Sequence, residues 1–236
     1  MSDPVSGPGR GAPSGSPRHL HLFGKVPEAG SAKTRLAPAL GDRGAARLYR
    51  AFLDDTLRRT AGTEVEQRTL WLAGDDAGLE RVRERHPGLP VRPQRGEDLG
   101  ERMARAMETS FSEGGGRVLI LGTDHPTLPP DLPARAFRLL ESADLVLGPS
   151  DDGGYYAVGL RREAWPAGRE LFRGVPWSTG RVLSVTRAKA ESAGLRRREL
   201  PQWYDVDLPA ELARLRRDAD PESESLRVLR SLEAEA

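Results

Sequence analysis

The chain has 236 residues, no cysteine, and a formal net charge of +1 from 36 basic and 35 acidic residues. That length is enough for one large domain whose core needs neither a metal nor disulfides. The lack of cysteine excludes disulfides, thiolate zinc sites and a cysteine nucleophile. The balanced charge gives no overall field that would draw nucleic acid or an anionic membrane to the protein.

Residues 1–17 are predicted to form a tail, and residues 18–236 a single folded domain. Gly, Pro and Ser dominate residues 2–17, and such a segment cannot bury enough surface to offset the entropy of ordering it. No later stretch approaches the ~18 apolar residues of a membrane span, and the first residues lack the apolar centre of a signal peptide. We therefore expect a cytoplasmic protein without membrane contacts.

From residue 19 onward, the apolar pattern predicts strands that alternate with helices. Strands are expected at 19–23, 68–74, 91–94, 117–122 and 144–149, with helices at 42–61, 76–85, 98–113 and 131–142. This alternation predicts a three-layer α/β fold with a mostly parallel central sheet covered by helices on both faces. Ligands of such open sheets lie beyond the carboxyl ends of the strands.

The rhythm changes after Pro149, where mixed strand directions are expected. Strands are predicted at 155–160 and 196–200, and helices at 179–193, 208–217 and 222–233.

The first loop, "FGKVPEAGSAKTRLAPALG" (residues 23–41), contains Lys25 and Lys33, two of only three lysines in the chain, together with Gly30 and Arg35. Its spacing is neither that of a Walker A loop nor that of a dinucleotide-binding loop. A flexible loop between a strand and a helix is a common phosphate site, and both lysine and arginine pair with phosphate oxygens. The loop predicts diphosphate binding; the alternative is a solvated basic loop.

Two other segments carry candidate metal ligands. Asp124 follows a buried strand in "LGTDHP", where a carboxylate could bind Mg²⁺ or Mn²⁺ or could cap a turn. Asp205 and Asp207 in "YDVDLP" lie on one side of the segment if it is extended. Asp207 is the candidate second ligand, and the alternative is that it caps a helix beginning near Pro209.

Asp151 and Asp152 precede two glycines in "GPSDDGGYY". Such acids could accept a proton from a hydroxyl or bind a sugar, and the glycines would let a ligand approach the backbone. The alternative is an ordinary Asp-Gly turn between strands. In "EDLGERMARAM" the stripe Leu99, Met103 and Met107 indicates a core-facing helix, with Gly100 as a candidate nucleotide contact.

The segments "GKVPEAGSAKTRLAPALG", "GEDLGERM", "GTDHPTL", "GPSDDGGYYAVGL", "LFRGVPWST" and "DVDLPAEL" occur in the chain in this order. Taken together, they resemble bacterial GT-A-fold glycosyltransferase-like proteins. These are relatives of molybdopterin and phospholactate nucleotidyltransferases, and some are assigned to arsenosugar biosynthesis. The resemblance covers roughly residues 18–217 and implies a Rossmann-like nucleotide-diphospho-sugar transferase fold that binds a nucleotide across the carboxyl edge of its sheet.

The resemblance also implies roles for individual residues. Lys33 and Arg35 match a K-T-R-L element that would hold phosphates, and Lys25 lies in the opening G-K-x-P element. Asp124 and Asp207 would bind Mg²⁺ or Mn²⁺, with Asp124 also counted as catalytic. Asp152 would act catalytically near the transferred group or the acceptor. Gly30, Gly100, Gly153 and Gly154 would approach the nucleotide.

Three functions remain open at this point. The expected function is metal-dependent transfer of a sugar from a nucleotide-diphospho-sugar to a small-molecule acceptor. One alternative is nucleotidyl transfer from a nucleoside triphosphate, with release of pyrophosphate. The other is a non-catalytic nucleotide-binding module. The sequence leaves the base, the sugar, the acceptor, the stereochemical outcome and the oligomeric state undetermined.

Overall fold

The structure is a computed structural model that describes residues 15–235. Most of the predicted tail therefore lies outside the described residues. Pro17 already belongs to the fold, because its carbonyl oxygen accepts backbone hydrogen bonds from Gly116 (2.8 Å) and Arg117 (2.9 Å). The folded part thus begins at least one residue before the predicted start.

Helices and strands alternate along the chain at nearly the predicted positions. The strands are β1 (Arg18–Lys25), β2 (Gln67–Ala73), β3 (Val91–Pro93), β4 (Arg117–Gly122), β5 (Leu145–Pro149), β6 (Tyr155–Arg161) and β7 (Arg197–Glu199). The helices are α1 (Ala37–Arg59), α2 (Asp76–Arg85), α3 (Leu99–Ser112), α4 (Leu132–Leu139), α5 (Trp165–Gly168), α6 (Val182–Ser192), α7 (Glu211–Asp218) and α8 (Glu224–Ala234). Helix α5 has no counterpart among the predicted helices. Helix α1 begins at Ala37, but a break in helical geometry at Gly41 separates a short first turn from the long helix, which begins at the predicted residue 42.

The seven strands form one sheet in the order β3-β2-β1-β4-β6-β5-β7. Strand β6 runs antiparallel to both β4 and β5, whereas the other neighbouring pairs are parallel. The sheet is therefore mostly parallel, and the expected change of direction after Pro149 is confirmed. The parallel arrangement brings the carboxyl ends of β1, β2, β4 and β5 to one edge of the sheet.

Helices cover both faces of the sheet. Successive strand residues point to opposite sides, so each strand contributes side chains to a core on each face. Leu20 and Leu22 of β1 pack in a core with residues of α1, α2 and α4. Phe23, on the other face, packs with residues of α3 and α6. The predicted three-layer α/β fold is confirmed. Among residues 15–235, no helix combines the length and the apolar composition needed to cross a bilayer.

The C-terminal helix α8 is fixed to α1 by Asp55, whose side chain is completely buried. Its carboxylate accepts hydrogen bonds from the backbone nitrogens of Glu224 (3.0 Å) and Ser225 (2.8 Å). These are the first two residues of α8, whose N–H groups have no partner inside the helix. Asp55 therefore adds a cap to α8 from another part of the chain.

Asp144 links three neighbouring segments at the end of the sheet opposite β3, namely β5, β6 and the residues just before β7. It precedes β5, and its carboxylate accepts hydrogen bonds from the Arg161 side chain (2.7 Å) and from the backbone and side chain of Arg196 (2.9 and 3.0 Å). The bonds from Arg196, together with those from Arg161, outweigh partial burial and lower the pKa of Asp144 to about 2. The ionised carboxylate is thus strongly preferred in the folded protein.

We predict that Asp144→Asn lowers the free energy of unfolding by roughly 2 kcal/mol at neutral pH, since each unit of pKa shift corresponds to about 1.4 kcal/mol. A depressed pKa in the folded state stabilises the fold above the unfolded-state pKa. That contribution disappears as the pH falls toward the folded-state value. Urea unfolding should show the largest difference between wild type and variant near pH ~7 and little difference near pH ~2. Asp42→Asn, at an exposed position of α1, is the control, and a difference that does not depend on pH would contradict this account.

Candidate active site

The ends of β1 and β4 are fastened together by the hydroxyl of Tyr49. This hydroxyl accepts a hydrogen bond from the backbone nitrogen of Lys25 (2.8 Å) and shares another with Thr123 Oγ1 (2.8 Å). Gly24 leaves room for the arrangement, because a Cβ there would lie 2.5 Å from Thr123 Oγ1 and 2.7 Å from the Tyr49 hydroxyl. The two loops that follow these strands therefore leave the sheet from fixed, neighbouring positions.

Residues 203–207 cross the same edge of the sheet. The backbone nitrogen of Trp203 donates to the Pro149 carbonyl (3.0 Å) at the end of β5, and that of Val206 donates to the Asp124 carbonyl (3.1 Å) after β4. This extended segment carries Asp205 and Asp207 toward the loop after β1. The fold thereby brings together acids and cations that are about 170 residues apart in the sequence.

Lys33 lies at the centre of the resulting cluster. Its Nζ is 2.7 Å from Asp124 Oδ1 and 3.6 Å from Asp207 Oδ1, and its side chain is only 5% exposed. The rings of Tyr49 and Phe52 lie beneath it, each with its centroid 5.9 Å from Nζ. Lys33 also has φ 51° and ψ 40°, a left-handed conformation that costs a non-glycine residue roughly 1–2 kcal/mol. The fold tolerates that cost at the residue that neutralises both acids.

Arg35 binds one of these two acids, Asp207, from the solvent side. Its guanidinium lies 2.7 Å from Asp207 Oδ2 and its side chain is 62% exposed. Asp207 does not cap α7, so that alternative is wrong. Instead, the Glu211 carboxylate accepts hydrogen bonds from the backbone nitrogens of Asp207 and Leu208, both at 2.6 Å. The Asp207 carboxylate is therefore left to interact with Lys33 and Arg35.

The electrostatics keep Asp124 ionised. Loss of solvent around it would raise the pKa, but the Lys33 ammonium, through its charge and its hydrogen bond, lowers the pKa below the usual value. The charge of Lys25 acts in the same direction, although the Lys25 side chain is exposed. The Asp124 side chain remains 46% exposed, so the carboxylate is open to a ligand on one side.

The turn after β5 supplies a second group of acids. Asp152 Oδ1 accepts a hydrogen bond from the backbone nitrogen of Gly154 (2.8 Å), so Asp152 does stabilise an Asp-Gly turn. Burial raises the pKa of Asp205 to about 6, and the charge of Asp152 adds a smaller effect in the same direction. Asp205 Oδ1 also lies 3.5 Å from Ser150 Oγ. Asp205 is a site residue that sequence reasoning left without a specific role, because only burial distinguishes it from other surface acids.

Asp151, the neighbour of Asp152, belongs to a different environment. Its carboxylate accepts hydrogen bonds from Gln202 (2.8 Å) and Arg214 (2.7 Å). Both oxygens of Asp151 are therefore engaged by side chains of the C-terminal part of the chain. The sequence alone could not tell which of these two adjacent acids faces the site.

The predicted nucleotide-contacting glycines have different surroundings. Gly30 has φ 79° and open space on the side where a Cβ would lie. Gly153 has φ 84° and a Cβ there would lie 2.3 Å from the Gly180 carbonyl oxygen, whereas at Gly154 it would approach Asp152 Oδ1 to 3.1 Å. At Gly100 it would lie 2.2 Å from the Phe172 carbonyl oxygen. Packing against 172–177 is a sufficient reason for a glycine at position 100, and its contact with a nucleotide stays a prediction.

The donor atoms near Lys33 have the chemistry of a magnesium or manganese site. The carboxylates of Asp124 and Asp207 both approach a single point, which is the Lys33 ammonium. Mg²⁺ commonly binds one or two protein carboxylates and takes its other ligands from water and substrate phosphates. No cluster of three or more His, Asp or Glu suitable for a metal occurs in residues 15–235. The pair therefore fits such an ion only if Lys33 moves away.

Comparison with known proteins shows the family to which this chain belongs. The family model described as "Uncharacterized protein conserved in bacteria (DUF2064)" matches residues 56–179. A solved structure of a presumed nucleotide-diphospho-sugar transferase from Desulfovibrio desulfuricans G20 is 34% identical, with a TM-score of 0.85, over 92% of this chain and 95% of that chain. The chain belongs to the DUF2064 family. No curated protein matches the sequence.

More distant structures share the fold alone. Rv0371c from Mycobacterium tuberculosis H37Rv, in a complex with manganese, is 17% identical with a TM-score of 0.50, over 91% of this chain and 99% of that chain. A cytidylyltransferase from Leptospira borgpetersenii serovar Hardjo-bovis (strain JB197) is 11% identical with a TM-score of 0.59, over 94% of this chain and 95% of that chain. The transferase class of this chain is supported by the family relative that is 34% identical, not by these distant structures.

We predict that Gly100→Ala destabilises the fold by about 1–3 kcal/mol, the usual cost of overpacking. The added methyl group would meet the backbone oxygen of Phe172, so either α3 or the 172–177 segment must move. Thermal unfolding should show a clear decrease in Tm. Gly62→Ala is the matched control, since an added Cβ there meets nothing within 4 Å. Equal Tm values for the two variants would mean that the segment does not pack on Gly100 as described.

Proposed function

We propose that the protein is a glycosyltransferase that moves a sugar from a nucleotide-diphospho-sugar to a hydroxyl group of a small molecule, and that it uses Mg²⁺ or Mn²⁺. The observation that carries the proposal is the separation of charge along the carboxyl edge of the sheet. Lys25 ends β1 and Lys33 and Arg35 lie on the loop after it, whereas Asp152 and Asp205 lie beside the turn after β5.

The cationic side suits the diphosphate of the donor. Lys33 and Arg35 would stabilise the negative charge that develops on the departing nucleoside diphosphate. Asp124 and Asp207 would hold the divalent cation, which supplies further stabilisation of that charge. The likeness to a presumed nucleotide-diphospho-sugar transferase and the manganese complex of a protein with the same fold support this assignment.

The acidic side suits a neutral acceptor with a hydroxyl group. The acceptor oxygen would form a bond to the anomeric carbon of the sugar, and its proton would pass to the Asp152 carboxylate. The bond between the anomeric carbon and the phosphate oxygen breaks, and its electron pair leaves with the nucleoside diphosphate. The proton would thus end on Asp152, and the negative charge would leave on the nucleoside diphosphate beside Lys33 and Arg35.

Nucleotidyl transfer is the second candidate, favoured by the likeness in fold to a cytidylyltransferase. Its acceptor would be a phosphorylated small molecule that attacks the α-phosphate of a nucleoside triphosphate and releases pyrophosphate. An anionic acceptor would be repelled by the carboxylates of Asp152 and Asp205, and it would need no base. We therefore place this reaction second.

The two reactions give different phosphorus products. Purified protein with Mg²⁺ or Mn²⁺ should be offered nucleotide sugars and nucleoside triphosphates in parallel, with products followed by ³¹P NMR and chromatography. We expect slow release of a nucleoside diphosphate from one nucleotide sugar, even without the natural acceptor. Pyrophosphate from one triphosphate would establish the second candidate, and binding of nucleotides without any turnover would contradict both.

Asp152→Asn should lower kcat for sugar transfer by about 10²–10⁴, the usual contribution of a general base, while KM for the donor changes little. Asp151→Asn is a matched control with the same change of charge one residue away, because the Asp151 carboxylate is held by Gln202 and Arg214. Steady-state kinetics of both variants would test the assignment. A similar loss in both variants would assign the effect to the turn as a whole rather than to Asp152 as the base.

A further inference from the structure

The Lys33 ammonium occupies the place between the two carboxylates that would hold the divalent cation. We infer that Lys33 and the cation exclude each other from Asp124 and Asp207, and that the phosphates of the nucleotide draw Lys33 away as the cation binds. This inference rests on the proposed function. It makes Lys33 the residue that couples cation binding to phosphate binding.

The two positive charges cannot share the site at low cost. Lys33 Nζ lies 2.7 Å from Asp124 Oδ1 and 3.6 Å from Asp207 Oδ1, so a cation that bridged these two oxygens would have to take the place of the ammonium. Mg²⁺ binds carboxylate oxygens at about 2.0–2.1 Å, so a cation on Asp124 Oδ1 would lie within van der Waals reach of the ammonium. Repulsion at that separation is strong, because water is largely excluded around the Lys33 side chain.

Three contacts restrict the directions in which Lys33 can move. Its backbone is held by the Leu36 nitrogen, which donates to the Lys33 carbonyl (2.8 Å). Tyr49 and Phe52 block the path below the ammonium. The exposed part of the pair is the Asp124 carboxylate, whose side chain is 46% exposed, and we expect the phosphates to approach from there. A phosphate oxygen there would replace the carboxylate as the partner of Lys33.

The consequence is cooperative binding. Without a phosphate ligand, a cation must displace a buried ammonium that has no new partner, so its affinity is low. With a diphosphate present, the ammonium exchanges one anion for another, and the cation gains both carboxylates. Because coupling between two ligands is reciprocal, the cation should strengthen phosphate binding by the same factor that the phosphate strengthens cation binding.

The first test measures Mn²⁺ binding to the free protein by electron paramagnetic resonance. Lys33→Met removes the competing charge and keeps the length of the side chain, so we expect its Mn²⁺ affinity to rise about tenfold or more, within the usual range of coupling. Lys25→Met is the matched control, with the same loss of charge at the exposed end of β1, just before the loop that carries Lys33. Its affinity should change much less.

The outcomes separate this inference from the proposed function. Unchanged or weaker Mn²⁺ binding by Lys33→Met overturns the inference alone, as does an equal increase in both variants, which would indicate a general effect of charge. Failure of every protein to bind Mn²⁺, with or without inorganic pyrophosphate, overturns the inference and also removes the metal from the proposed function.

A second test uses the wild-type protein and does not require Lys33→Met to fold. The chain has only three lysines, so protein labelled with ¹³C at lysine Cε should give three sets of NMR signals, assigned with Lys25→Met and Lys189→Met. Saturating Mg²⁺ with inorganic pyrophosphate should shift the Lys33 signals and leave those of Lys189, which contacts the Glu170 carbonyl, in place. Lys33 signals that stay in place while Mg²⁺ binds would overturn the inference.

Discussion

The ion pair between Lys33 and Asp124 is the interaction on which the carboxyl edge of this sheet depends. A buried ammonium is costly unless anions neutralise it, and here the anions come from two distant parts of the chain, Asp124 after β4 and Asp207 before α7. The hydroxyl of Tyr49 and the backbone bond from Val206 to Asp124 hold those parts in place. The left-handed backbone at Lys33 then aims the ammonium at both acids.

This constraint divides the edge of the sheet into two regions of opposite character. Cations lie at the end of β1 and on the loop after it, where Asp124 and Asp207 neutralise part of their charge. Carboxylates collect near the turn after β5, where burial and the charge of Asp152 raise the pKa of Asp205 to about 6. A diphosphate and a hydroxyl-bearing acceptor have complementary needs, since one requires positive charge and the other a proton acceptor. In the proposed reaction, the donor would therefore bind at the loop after β1 and the acceptor at the turn after β5.

Much of this arrangement could be predicted from the sequence, because local patterns decide it. Buried strands such as β4 end at recognisable glycines. Their alternation with amphipathic helices is enough to predict a mostly parallel sheet, and ligands are expected at the carboxyl ends of its strands. Contacts between distant segments could not be predicted in the same way. Nothing near Asp207 indicates that Glu211 takes over the local hydrogen bonds, and nothing near Gly100 indicates that Phe172 will pack on it. Lys33 was predicted to meet phosphates, but its pairing with two acids depends on the completed fold.

The most direct test of this account is a crystal structure with Mn²⁺ and the nucleotide that the turnover assay identifies, using anomalous diffraction at the manganese edge. The account predicts an anomalous peak bound to both Asp124 and Asp207, with the Lys33 ammonium moved from Asp124 onto a phosphate oxygen. A nucleotide bound at this edge with no manganese at these two acids, or with Lys33 still between them, would contradict it.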